Sequence, residues 1–281
     1  MDKGIIIHPT DFSDCANKAL KYAIFMAKAL NCKLKVVHSL VFNDLGEFRQ
    51  NPTALIADSK KVEKEAEVNL KKIGEIVKSQ GIDCEMTIYT GKISAWFPDY
   101  VDKYKPSLIV MGTTGASSFS NKFFGSNTYS VIKNTKYPLL AVPKNATVEK
   151  IKKIIFSTDY KDADIQSIDF LSRIATHFES NIEVTHIIDS ETKKKENNQI
   201  LFDKLKSKVG AQVPYKNIKY KLFQCDDVLT GIQLLLEESK PDLFSLVMRK
   251  QGFLERFLFG SITEKMVYHT ETPMVIFPEE D

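Results

Sequence analysis

Residues 111–128, MGTTGASSFSNKFFGSNT, carry the most specific chemical signal in the chain. Gly112 and Gly115 are followed, nine residues on, by Gly125 and Ser126. Glycine lets a backbone approach an anion closely and adopt φ > 0 without a side-chain clash. The stretch lies where an apolar run ends and a helical pattern begins. Gly125 and Ser126 would therefore open a helix whose unpaired N–H groups and positive dipole end favour phosphate. Asp11 follows the first apolar run in the same way, after Pro9 and Thr10. In open α/β sheets ligands bind beyond the carboxyl ends of the strands, at the switch point. Asp11 and the pair Met111-Gly112 can thus border one crevice. At this level Asp11 is also readable as a turn or capping aspartate, the glycines as turn formers, and Lys122 as a solvated loop lysine.

These residues need a scaffold, and the periodicity supplies one. Residues 4–8 are a short apolar run, the pattern of a parallel strand buried on both faces. Ser13 is placed to cap the next segment, where Ala16, Ala19, Leu20, Ala23, Ile24, Ala27 and Leu30 recur at helical spacing. Strands are expected at 33–40, 84–90, 108–111 and 139–142. Helices are expected at 58–78, after an insertion around Asn51-Pro52, and at 93–103 and 127–134. Strands alternating with helices imply a parallel sheet with right-handed crossovers.

The second half repeats the order, with strands expected at 151–158, 182–187 and 219–223. His186 stands where His38 stands. From Pro106 to Pro143 and from Pro241 to Pro278 the landmarks keep one offset, with Phe259-Gly260-Ser261 echoing Phe124-Gly125-Ser126. The chain reads as a duplication: one unit at 1–146 and a second at 150–281. At that offset Val247 replaces Gly112 and Lys250 replaces Gly115. A β-branched residue suits neither φ > 0 nor a nearby phosphate, so the second unit reads as degenerate. By the same logic, Gly112→Val should abolish binding in the first unit and leave its fold intact.

In two copies spanning nearly the whole chain, the sequence resembles the universal stress protein A family. ATP-binding members carry G-x2-G-x9-G-[ST], which Gly112, Gly115, Gly125 and Ser126 fit without gaps. Pro9–Ser13 (PTDFS), His38-Ser39 and Pro138–Pro143 (PLLAVP) resemble the family too. The resemblance implies two tandem open parallel five-stranded sheets with flanking helices, Rossmann-like and similar to adenine-nucleotide α-hydrolases, in strand order 3-2-1-4-5. It implies ATP, with or without Mg²⁺, in the first unit alone. Asp11 and Ser39, with the neighbouring Pro9 and Thr10, would lie near adenine and ribose, and Met111 would line the base pocket. Gly112, Gly115, Gly125, Ser126 and the Asn127 amide would hold the phosphates. Ser39 departs from the family, where an aliphatic residue is more usual. The last strands would pair the two units within the chain or across a homodimer.

Composition narrows the alternatives. A net charge of +3 over 281 residues predicts neither a nucleic-acid footprint nor a membrane-surface anchor. No run approaches the roughly 20 apolar residues of a membrane span, and the first residues lack a signal-peptide pattern. Cys15, Cys32, Cys84 and Cys225 lack C-x-x-C spacing and read as reduced structural thiols, which places the protein in the cytoplasm. His8, His38, His177, His186 and His269 show no metal-ligand spacing. There is no P-loop motif and no early-strand G-x-G-x-x-G. The leading expectation is an adenine-nucleotide-binding stress-response regulator that is not an enzyme. A slow ATPase or phosphotransferase, and a structural pseudo-dimer that binds no nucleotide, are the rivals.

Overall fold

The computed structural model describes residues 3–41, 52–114, 124–147, 150–189, 197–249 and 271–279. Gly115, Lys122, Lys250, Phe259–Ser261 and His269, all singled out above, lie outside them.

The first half runs β1 (Gly4–Thr10), α1 (Asp14–Ala29), β2 (Cys32–Leu40), α2 (Pro52–Ser79), β3 (Cys84–Thr90), α3 (Ile93–Tyr104), β4 (Leu108–Gly112), α4 (Ser126–Asn134) and β5 (Leu139–Val142). The second continues with β6 (Lys153–Ser157), α5 (Ala163–Phe178), β7 (Asn181–Ile188), α6 (Asn198–Gln212), β8 (Ile218–Gln224), α7 (Val228–Ser239), β9 (Leu243–Met248) and β10 (Met274–Pro278). Helix α2 begins at Pro52 rather than at the expected 58, and Asn51 lies outside the described residues. Proline suits a first helical position, where its missing N–H costs nothing.

All ten strands join one sheet, in the order β3-β2-β1-β4-β5-β10-β9-β6-β7-β8. Each half has the order 3-2-1-4-5, and every pairing is parallel except β5 with β10. There the two halves meet edge to edge, so the sheets form one continuous surface. The register is Met274↔Ala141, Val275↔Leu140 and Ile276↔Leu139. Val275 is also the repeat counterpart of Leu140, so a pseudo-two-fold axis passes through that pair. Both side chains are fully buried.

Alternation along the strands separates two cores. Ile6, Leu34, Leu108 and Ile154 pack beneath α1, α2 and α5, together with Leu70, Ile73 and Val77 of α2. Ile7, Val37, Ile109 and Ile155 pack beneath α3, α4 and α7. Helices α1 and α5 also meet across the junction, where Phe25 and Phe178 stack at 5.4 Å. No helix among the described residues is long and apolar enough to cross a membrane.

Candidate functional site

The strand ends of β1 and β4 meet under the first turn of α1. Leaving β1, the chain turns sharply at Phe12, a non-glycine residue at φ 62°. Three local contacts hold that conformation. Phe12 N–H donates to Thr10 Oγ1 at 3.1 Å, Ser13 N–H to Asp11 Oδ1 at 3.1 Å, and Ala16 N–H to Ser13 Oγ at 3.2 Å. Ser13 thus caps α1 as its residue type predicts. Asp11 serves as a turn aspartate while remaining exposed. Thr10 and Pro9 are buried beside it. The Thr10 carbonyl lies 2.7 Å from His38 Nδ1, and the His38 ring stacks on Phe12 at 4.3 Å.

Gly112 closes the crevice from below. Here the structure corrects the reason for a glycine. Gly112 is not among the residues at positive φ; it is required by close approach. A Cβ there would stand 2.7 Å from Cys15 Sγ and 3.1 Å from the Cys15 backbone carbon and oxygen. Cys15 in turn donates its S–H to the Val142 carbonyl at 3.4 Å. Gly112→Val therefore cannot leave the fold intact, because it pushes α1 away from β4.

Beyond β4, both ends of the intervening loop are clamped. Gly125 N–H donates to the Thr113 carbonyl at 2.7 Å, and Thr128 Oγ1 donates to the Gly112 carbonyl at 2.8 Å. Gly125 is the N-cap of α4 and, lacking a side chain, makes no side-chain cap bond. Ser126 and Asn127 follow it, both exposed. The start of α4 is thus fixed at the end of β4 with its first amides uncapped, a ready place for an anion.

Two proposed base-pocket side chains are committed elsewhere. Met111 is 5 % exposed and packed in the core beneath α3 and α4. Ser39 Oγ donates to the Gly91 carbonyl at 2.5 Å and accepts from Trp96 Nε1 at 3.2 Å. Trp96 stacks on Tyr89 at 4.3 Å. The Trp96–Ser39 link is one that sequence reasoning missed, and its two partners lie in separate elements. His8 was missed as well. It is fully buried, its Nδ1 lies 2.8 Å from the Val110 carbonyl, and its Nε2 has no partner among the described residues. Burial lowers its pKa from 6.5 to about 4, against the raising effects of the Val110 bond and the Asp11 charge.

Against this geometry stand the relatives. The sequence profile of the universal stress protein family matches residues 4–143. A universal stress protein of Methanocaldococcus jannaschii is 32% identical over 143 residues, covering 50% of this chain and 81% of the relative. The chain belongs to the universal stress protein family. A universal stress protein from Archaeoglobus fulgidus DSM 4304 shares its fold along 100% of both chains, with a TM-score of 0.74 at 16% identity. A protein from Pseudomonas aeruginosa UCBPP-PA14 superposes on 98% of this chain with 93% of its own, with a TM-score of 0.63 at 12% identity. At such identities the likeness establishes the fold alone.

This universal stress protein carries a second crevice built differently. Thr158 and Tyr160 repeat the turn, with Tyr160 at φ 64°, Tyr160 N–H donating to Thr158 Oγ1 at 3.1 Å, and His186 Nδ1 2.7 Å from the Thr158 carbonyl. Where the first half has the neutral Ala16 and Thr114, however, the second has Asp164 and Arg249. Arg249 is held by carboxylates rather than left to solvent. It is 13% exposed and pairs with Asp164 at 2.7 Å, Asp159 at 3.4 Å and Glu279 at 3.7 Å.

Proposed function

We propose that this universal stress protein binds one adenine nucleotide, ATP, in the crevice of its first half and acts as a stress-response regulator in the cytoplasm. The uncapped start of α4, tied to the end of β4 through Gly125 and Thr128, carries the reading. Ser126 and Asn127 would present amides to the phosphates, joined by Gly112 and by Gly115 of the loop. The backbone at Pro9–Asp11 and Ser39 would face base and ribose, since the Ser39 hydroxyl is already taken. ATP would supply a charged group whose presence or absence the first half senses; Mg²⁺ would accompany it as a counterion.

The protein is read as two units, residues 1–146 and 150–281, with nucleotide in the first only. Its output would be conformation or partner binding rather than turnover. Amides that grip phosphates stabilise ground state and transition state alike, which gives affinity without rate. The Asp11 carboxylate, the nearest candidate base, is already engaged by the Ser13 amide.

Calorimetry with ATP should return a stoichiometry of one per chain, and a phosphate-release assay should stay far below the median enzyme rate of about 10 s⁻¹. Two equivalent sites would overturn the assignment to the first half. Sustained turnover abolished by Asp11→Ala would make the protein an enzyme. No binding at all would leave a structural pseudo-dimer.

A further inference from the structure

We propose that the second crevice is an anion site permanently filled by the chain itself, with the Asp164 carboxylate occupying the place of a small anionic ligand. It does not rest on the ATP reading, which puts the phosphates at the start of α4.

Asp164 sits in the first turn of α5, where Ala16 stands in α1, yet its side chain is fully buried. A buried carboxylate is costly unless several donors meet it. Four do. Its Oδ2 accepts from Thr158 Oγ1 at 2.6 Å, Asp159 N–H at 3.1 Å and Lys161 N–H at 3.3 Å, and its Oδ1 accepts from Arg249 Nη2 at 2.7 Å. Asp164 is not capping α5. The N-cap is Asp162, which makes no side-chain cap bond. The amides it gathers belong to the turn leaving β6, the counterpart of the turn leaving β1. Two backbone N–H groups, a hydroxyl and a guanidinium converging on one carboxylate are the donor set of an anion receptor.

The repeat sets both members against neutral residues. Asp164 and Arg249 are both charged where Ala16 and Thr114 are both neutral. Loss of Arg249 would leave the buried Asp164 carboxylate without the guanidinium that opposes its charge, a costly state, whereas without Asp164 the guanidinium would keep Asp159 and Glu279. Further orphans surround the pair. His186 Nε2 and Tyr160 Oη are buried without partners among the described residues, and the two rings stack at 3.9 Å. Desolvation raises the Asp164 pKa, and the Thr158 bond and Arg249 charge oppose that rise. With this site self-occupied, only the first crevice is left to respond to a ligand.

Chemical rescue tests the proposal. Asp164→Ala restores the residue found at the first site and leaves a carboxylate-shaped gap facing Arg249 and two amides. Formate, whose planar oxygens match a guanidinium fork, should raise the melting temperature of this variant in a saturable manner. Inorganic phosphate should do the same less well, and chloride at equal ionic strength should not. The wild type should respond to none of them. Asp164→Ala/Arg249→Gln should lose the formate effect. If Asp164→Ala does not fold unaided, refolding in formate against chloride reads the same quantity, and folded protein in formate alone is the expected result. Equal behaviour in formate and chloride, or a formate effect that survives loss of Arg249, would overturn the proposal. No arm uses nucleotide, so failure here is separate from failure of the ATP reading.

Discussion

Burial sets the charge of His8, and with it part of the acid stability of the fold. The folded pKa of about 4 lies below the ordinary 6.5. The unfolded chain therefore binds a proton that the folded chain refuses, between those two values. Stability from this group is complete above pH 6.5 and is lost as pH falls toward 4, in total about 3 kcal/mol at 1.36 kcal/mol per pKa unit. His186, whose pKa burial also lowers, acts in the same direction. Phe156 occupies the position of His8 in the second half, so a phenyl ring is compatible with such a site. His8→Phe should flatten the loss of denaturation midpoint between pH 6.5 and 4, measured by urea titration across that range; an unchanged pH slope would show that His8 contributes nothing. At this scale the sequence was only partly legible. Ser13 announced its capping role by type and position, and the glycine pattern pointed to the strand end where Gly112 packs on Cys15. The Asp164–Arg249 pair did not show itself, because its members are 85 residues apart and only the folded sheet brings them together. Phe12 and Tyr160 gave no warning of their left-handed backbones either, since aromatic residues rarely adopt them.

At the scale of elements, periodicity served well wherever strands are buried and helices amphipathic. β3 and β5 fall where the alternation places them, and α1 begins at its predicted cap. The start of α2 was misplaced because Pro52 reads as a breaker when taken out of its first-turn context. Duplication is written more clearly in the backbone than in the side chains. Three pairs of left-handed residues recur at equivalent places: Phe12 with Tyr160, Asn31 with Glu179, and Lys105 with Lys240. Only the third pair keeps its residue type, so the first two turns outlast the residues that make them. The junction of β5 with β10 is the element on which the tandem arrangement depends. Each would otherwise be a short, apolar, open edge. Because both are interior to the sheet, the Leu140 and Val275 amides should belong to the slowest-exchanging class in native-state hydrogen exchange, slower than those of the edge strand β3. Rapid exchange at either amide would mean that the edges are not paired in solution.

The whole molecule is two copies of one plan around the Leu140–Val275 axis, with a charge pair in the second where the first has neutral residues. Such a junction has the self-complementary form of an isologous dimer contact. Continuity of the chain is what separates it from one. A protein of two unlinked copies comes apart on dilution, at a concentration set by its dissociation constant. Tethered halves face each other at an effective concentration in the millimolar range for a short flexible linker, whatever the cell contains. Cleaving the connection between Val142 and Lys153 should therefore leave the halves associated at high concentration and let them separate when diluted, as analytical ultracentrifugation would show, whereas the intact chain should sediment as before. Even at low abundance the two halves would then stay together. Two halves in one chain need not be identical, and the neutral Ala16 at the start of α1 stands against the buried Asp164 at the start of α5.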